Sequence, residues 1–104
     1  MVHDKLTVVV RADLSSGQKI AQVLHAGLAY AQAYPSECHD WMARSNTVVV
    51  VETPHIDGLR ERAAMQGIPH VAFHEPDLAD TLTAVALGPG PQTRKLTRAL
   101  PLAG

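Results

Sequence analysis

The sequence predicts an α/β domain in which helices cover both faces of a mixed four-stranded sheet. Three observations carry this. Short runs rich in β-branched residues alternate with longer stretches of helical period. The chain has 104 residues, the span of one domain over 1–104. Its hydrophobic residues, 46% of the total, include one Trp, two Tyr and one Phe, so the core must be Val, Leu, Ile and Ala. A branched aliphatic core suits a sheet sandwiched between helices, a three-layer α/β/α arrangement.

Leu6 to Val10 is a short apolar run and reads as a buried strand. Arg11 to Gly17 turns the chain. Ser15 followed three residues later by Gln18 is a capping-box pattern that opens a helix. That helix runs from Ser16 to about Tyr34, where Pro35 ends it. Ile20, Val23, Leu24, Gly27, Leu28 and Ala31 recur at helical spacing and form the stripe expected to face the core. Ser36 to Arg44 predicts a second, short helix. Thr47 to Val51 is the strongest strand and is expected at the sheet centre, buried on both faces. Thr53 and Pro54 read as N-cap and first position of a helix that carries Leu59 and Ala63 and ends near Gly67. Pro69 to Phe73 is a third strand, Glu75 to Asp80 an acidic loop, and Leu82 to Leu87 a fourth strand. Gly88 to Pro91 is a rigid turn, and Thr93 to Leu100 a last short helix. The order is β-α-(α)-β-α-β-β-α. The short link between the last two strands makes that pair antiparallel and the sheet mixed.

Lys and Arg number 9 and Asp and Glu 10, a formal net charge of -1, so overall charge does not announce a nucleic-acid binder. From Pro91 onward, however, Arg94, Lys95 and Arg98 stand without an acidic residue. The lone Cys38 excludes an internal disulfide framework and, being surface by context, is not expected to act as a nucleophile. No apolar run approaches the roughly 20 residues of a membrane span. The start of the chain is too short and too charged for a signal peptide. These features predict a cytoplasmic protein with no membrane partner.

The opposite face of the first long helix holds the candidate chemistry. Gln18, Gln22, His25, Ala29 and Gln32 form one stripe, with Lys19 one residue round from Gln18. Amides and a His stand where Glu and Lys usually solubilise a surface helix. Loops at strand ends supply Arg11 and Asp13 after the first strand and Glu75 and Asp77 after the third. A carboxylate from either loop could orient the His25 imidazole, although capping a turn is the plainer role for Asp13 and Asp77. Six His do not make a metal site. His70 and His74 share a strand face but lie roughly 13 Å apart at strand rise, and no paired Cys or His-Glu-x-x-His motif is present. There is no Gly-x-Ser-x-Gly elbow and no Gly-rich phosphate loop, so neither metal nor cofactor is expected.

The strand Leu6 to Val10, then Arg11-x-Asp13-Leu14, then Gly17-Gln18-Lys19-Ile20-Ala21-Gln22-Val23-Leu24-His25-Ala26, resembles the archaeal and eukaryotic type of peptidyl-tRNA hydrolase. Gln-x-x-His-Ala is the most specific part. The Val-rich second strand, the helix from Thr53, the strand ending at Phe73 and the stretch Thr83 to Pro89 follow the family's later order. Glu75-Pro76-Asp77-Leu78 is similar to a short bacterial branch. The resemblance implies metal-free hydrolysis of the ester joining a peptide to the 3′ end of tRNA, in translation quality control. It implies a site made from a Lys at the start of this helix, the helix His, and an Asp at the end of the third strand. His25 matches the His and Gln22 the Gln. The Asp position falls on Glu75, with Asp77 as an alternative nearby. The Lys position falls on Gln18, and Lys19 comes one residue later, about 100° round the helix.

The expected mechanism uses His25 with Glu75 or Asp77 as general base. Gln18, Gln22 or Lys19 would face the developing oxyanion. Arg11, Asp13, Arg94, Lys95 and Arg98 would line the substrate, the cations on tRNA phosphates. Two alternatives share the sequence: a module of this fold that binds tRNA or an acyl ligand without cleaving it, and a small oligomeric interaction protein. A homodimer is compatible with a domain this small.

Overall fold

The computed structural model describes residues 4–104. The elements are β1 (Lys5–Arg11), α1 (Ser16–Ala33), α2 (Pro35–Arg44), β2 (Thr47–Thr53), α3 (Ile56–Met65), β3 (His70–Glu75), one 3-10 turn (Pro76–Leu78), β4 (Thr81–Leu87) and α4 (Pro91–Thr97). The four strands form one mixed sheet in the order β2-β1-β4-β3. β1 and β2 are parallel, which requires a crossover, and α1 and α2 supply it. β4 pairs antiparallel with both β1 and β3. The order and the mixed sheet follow the expectation from sequence.

Strand alternation sets the two layers. Leu6, Val8 and Val10 of β1 and Ala84 and Ala86 of β4 face α1 and α2, where Ala26, Tyr30, Cys38 and Trp41 close the core. Val9, Val51, Val85 and Leu87 face the other way, against Ile56, Leu59 and Ala63 of α3 and the half-buried Leu96 of α4.

Four expectations are corrected. β2 is an edge strand, not a central one. Nor is its Val run buried on both faces: Val48 is 49% exposed, Val49 and Val50 are half-buried, and only around Val50 to Glu52 does the end of the chain cover the outer edge. The Glu52 N–H donates to the Pro101 carbonyl at 3.0 Å and the Ala103 N–H to that of Val50 at 3.0 Å. Thr53 does not cap α3, because pairing with Arg11 keeps it in β2. Its hydroxyl instead accepts from the His55 N–H at 3.1 Å, and the helix starts at Ile56. Cys38 is buried against the sheet, not at the surface.

The fourth correction concerns α1. Its expected core stripe is largely outside: Ile20 is 71% exposed, Leu24 61% and Leu28 62%. The face on the sheet is Lys19, Gln22, Ala26 and Tyr30. At 100° per residue this face lies between the apolar stripe and the amide stripe. The rotation is tolerated because both buried polar side chains find partners on the strands, which removes the penalty for burying them.

Candidate active site beside the first helix

Gln22 is the hub of the site. Its position on the sheet-facing side of α1 aims the amide between β3 and β4. Nε2 donates to Glu75 Oε1 at 2.7 Å, and the amide oxygen accepts from the Thr83 hydroxyl at 2.6 Å. The carboxylate needs a donor, so it fixes which end of the amide points to it. Glu75 Oε2 accepts the Asp77 N–H at 3.1 Å. The Gln22 bond, the Asp77 N–H and the nearby His25 together hold the Glu75 carboxyl below the usual glutamate range.

Thr83 reaches this network through a bulge. Pairing runs Phe73 with Ala84 and His74 with Leu82, leaving Thr83 as an extra residue. Strict alternation would send Thr83 to the face opposite Ala84. The bulge turns it back toward α1, where it is fully buried. Phe73, at the same irregularity, stacks on His25 with ring centroids 4.7 Å apart and planes 13° off parallel. Stacking occupies a face of the imidazole, not its in-plane nitrogens. An exposed histidine thus sits beside a carboxylate held ionised, over a buried amide and hydroxyl.

The other expected site residues are dispersed. Lys19 is buried and ion-paired to Glu52 at 2.7 Å, with a second bond from Nζ to the Gly104 carbonyl at 3.2 Å. Glu52 is on β2 and Glu75 on β3, the two edges of the sheet, about 14 Å apart by strand spacing. Lys19 therefore serves the opposite side of α1 from His25. Gln18 is exposed and held in the helix cap, its Oε1 accepting the Ser15 N–H at 2.9 Å. Arg11 and Asp13 form a two-point ion pair at 2.9 and 3.0 Å, and the Arg11 fork also donates to Thr81 at 3.2 Å. Asp77 supplies a backbone N–H to Glu75. Arg94 and Lys95 lie on α4 and Arg98 caps its end, in the layer across the sheet from His25.

Thr83, Phe73 and Glu52 were not singled out from sequence as site residues. A Thr inside the Leu82–Leu87 run was the available signal, since a hydroxyl in an apolar strand asks for a partner. Glu52, between Val51 and Thr53, carried the same kind of signal.

A histidine and a buried amide on one side of α1, next to an ionised carboxylate from β3, are the parts of an acid–base hydrolytic site. The model of the family described as peptidyl-tRNA hydrolase PTH2 matches residues 4–103, and the chain belongs to that family. Its members are carboxylic ester hydrolases acting on peptidyl-tRNA, and membership implies that activity here. Among solved structures, a protein of unknown function, Atu0240 from Agrobacterium tumefaciens strain C58, is similar over 100% of both chains, with a TM-score of 0.75 and 16% identity. That likeness is one of fold. No curated protein matches the chain.

Proposed function

We propose that the β3 side of α1 is the hydrolytic centre, working without a metal. His25 takes a proton from water as the oxygen attacks the carbonyl carbon of the ester. The neighbouring Glu75 carboxylate stabilises the imidazolium that forms. Gln22 Nε2 has one N–H engaged by Glu75 and a second left for the oxyanion. Collapse breaks the bond from the acyl carbon to the ribose oxygen, and His25 returns its proton to that oxygen. The peptide acid loses its remaining proton to solvent, and peptide carboxylate and free tRNA leave.

The observation that carries this is the continuous Thr83–Gln22–Glu75 network beside His25. The test is release of peptide from an N-blocked aminoacyl-tRNA by the purified protein. No release by wild type, or full activity in His25→Ala, sinks it.

One observation favours the non-catalytic alternative. The Lys of α1 is consumed by Glu52, on the β2 flank of the helix and away from His25. Salt-dependent tRNA binding without turnover selects that module. The outward ridge Ile20, Leu24 and Leu28 supports a homodimer as the working form, with sedimentation of Leu24→Asp against wild type as its check. The reading places the protein in the cytoplasm, in translation quality control.

A further inference from the structure

The cations of this chain are unevenly placed. The α1–α2 layer holds Lys19, paired with Glu52, and Arg44, paired with Asp4 and Asp40. Across the sheet, a cleft of about 370 Å³ opens between α4 and the β1–β2 edge. Lys5, Arg94 and Arg98 stand around a floor that includes Thr7, Val49 and Val51. Among the described residues none of the three is in an ion pair, and no acidic side chain lines the cleft. Arg94 and Arg98 are four apart, so they share a helix face and repel each other. The platform beneath them is rigid. The Thr93 hydroxyl donates to the Gly88 carbonyl at 2.6 Å and the Thr97 hydroxyl to that of Thr93 at 2.8 Å.

We propose that this cleft is a phosphate-binding groove for an RNA backbone, with Lys5, Arg94 and Arg98 as its cations. Three uncompensated cations around one concave surface match a ligand that brings several negative charges. No aromatic, amide or carboxylate side chain lines the cleft to stack on a base or read its edge, so it recognises charge and not sequence. That favours a polymer backbone over a mononucleotide. The identity of the polymer as RNA rests on the hydrolase reading above.

The position of the cleft assigns its task. Thr7, Val49 and Val51 point to the α3–α4 face, near the start of β1 and at the β2 edge. Glu75 closes β3, at the other edge and the other end of the strands, with its partner Gln22 on the α1 face. Cleft and His25 are diagonal across a molecule whose extents are 38 × 26 × 26 Å. The cleft therefore grips a part of the RNA remote from the reacting ester, and it affects KM without affecting kcat. Arg11, spent on Asp13, and Lys95, outside the cleft, take no part.

The experiment is binding of deacylated tRNA, followed by anisotropy across a salt series, to wild type, Arg94→Ala/Arg98→Ala and Lys95→Ala. The double variant is expected to bind roughly tenfold more weakly, with its salt slope reduced by about 1.5 to 2. Lys95→Ala should stay near wild type, and thermal melts of both variants should match it, because the three side chains are exposed. In the hydrolysis assay the double variant should raise KM and leave kcat unchanged. Wild type that binds no tRNA, or a double variant that binds as wild type does, overturns the proposal. Displacement of tRNA by sub-millimolar inorganic phosphate overturns the polymer assignment. Cleft-dependent tRNA binding without peptide release leaves the groove standing and removes the hydrolase reading.

Discussion

The two flanks of α1 each bring a helix side chain to a carboxylate on an edge strand, yet only one has the makings of a reaction centre. On the β2 flank Lys19 meets Glu52, and charge cancels charge. The Gly104 carbonyl takes a further bond from Nζ, and the Gly104 N–H donates to Glu52 at 3.2 Å. Every strong group there is used, and the result ties the end of the chain to the helix. On the β3 flank Gln22 meets Glu75, and a neutral amide cannot cancel the charge. The carboxylate stays ionised next to an exposed imidazole. A helix amide in place of a cation leaves electrostatic potential unspent, and unspent potential beside a titratable group is what acid–base chemistry needs.

Variants on the two flanks should behave differently. His25→Ala is expected to lower kcat by about 10²- to 10⁴-fold with little change in melting, since the ring is exposed and acts on a proton. Steady-state kinetics alongside a thermal melt separates the two. Glu75→Gln should have the next largest effect on activity, and the wild-type carboxylate carries a pH signature. Its folded pKa is depressed, so its stabilising contribution is complete above the unfolded value and is lost as pH falls through the lower folded value. A carbon-detected NMR titration should find Glu75 titrating below the ordinary glutamate value and moving up toward it in Gln22→Leu. An unshifted titration in wild type would remove the electrostatic basis of the site.

Thr83→Val strips the donor from a buried amide oxygen and should cost about 1–3 kcal/mol in denaturant unfolding, with a smaller loss of kcat than Glu75→Gln. On the other flank Lys19→Met should lower Tm by about 5 °C and leave kcat alone. A large loss of kcat there would merge the two flanks into one site. Ser15→Ala removes half of the capping box they share and should cost about 0.5 kcal/mol, the smallest change of the set.

Elements built from local signals were legible. The capping box at Ser15 and Gln18 formed as expected, and Gly67 sits past the end of α3 with φ +69, the left-handed conformation glycine favours. The polar stripe of α1 and the loop after β3 offered Gln22, His25 and Glu75, the resemblance gave them roles, and they lie together in the structure. Burial was less legible. The ridge Ile20, Leu24 and Leu28 carried the strongest period in α1, and hydrophobic period alone placed it inward. It reports which side chains share a face, not which face meets the sheet. The Val run of β2 misled in the same way: of its valines only Val51 is buried, and the chain end covers just the Val50–Glu52 stretch of the outer edge.

The sequence by itself determined the order of elements, the mixed sheet, the helix start and the family. Each rests on contacts between near neighbours or on a motif read in one stretch. Only the tertiary structure decided the rotation of α1, the bulge that turns Thr83 inward, the pairing of Lys19 with Glu52 and the separation of the basic cleft from His25. The bonds from Gln22 to Glu75 and Thr83 span 53 and 61 residues. A bond of that length leaves no local pattern. It exists because buried polar groups must be satisfied, and which partner satisfies them depends on which strands lie side by side.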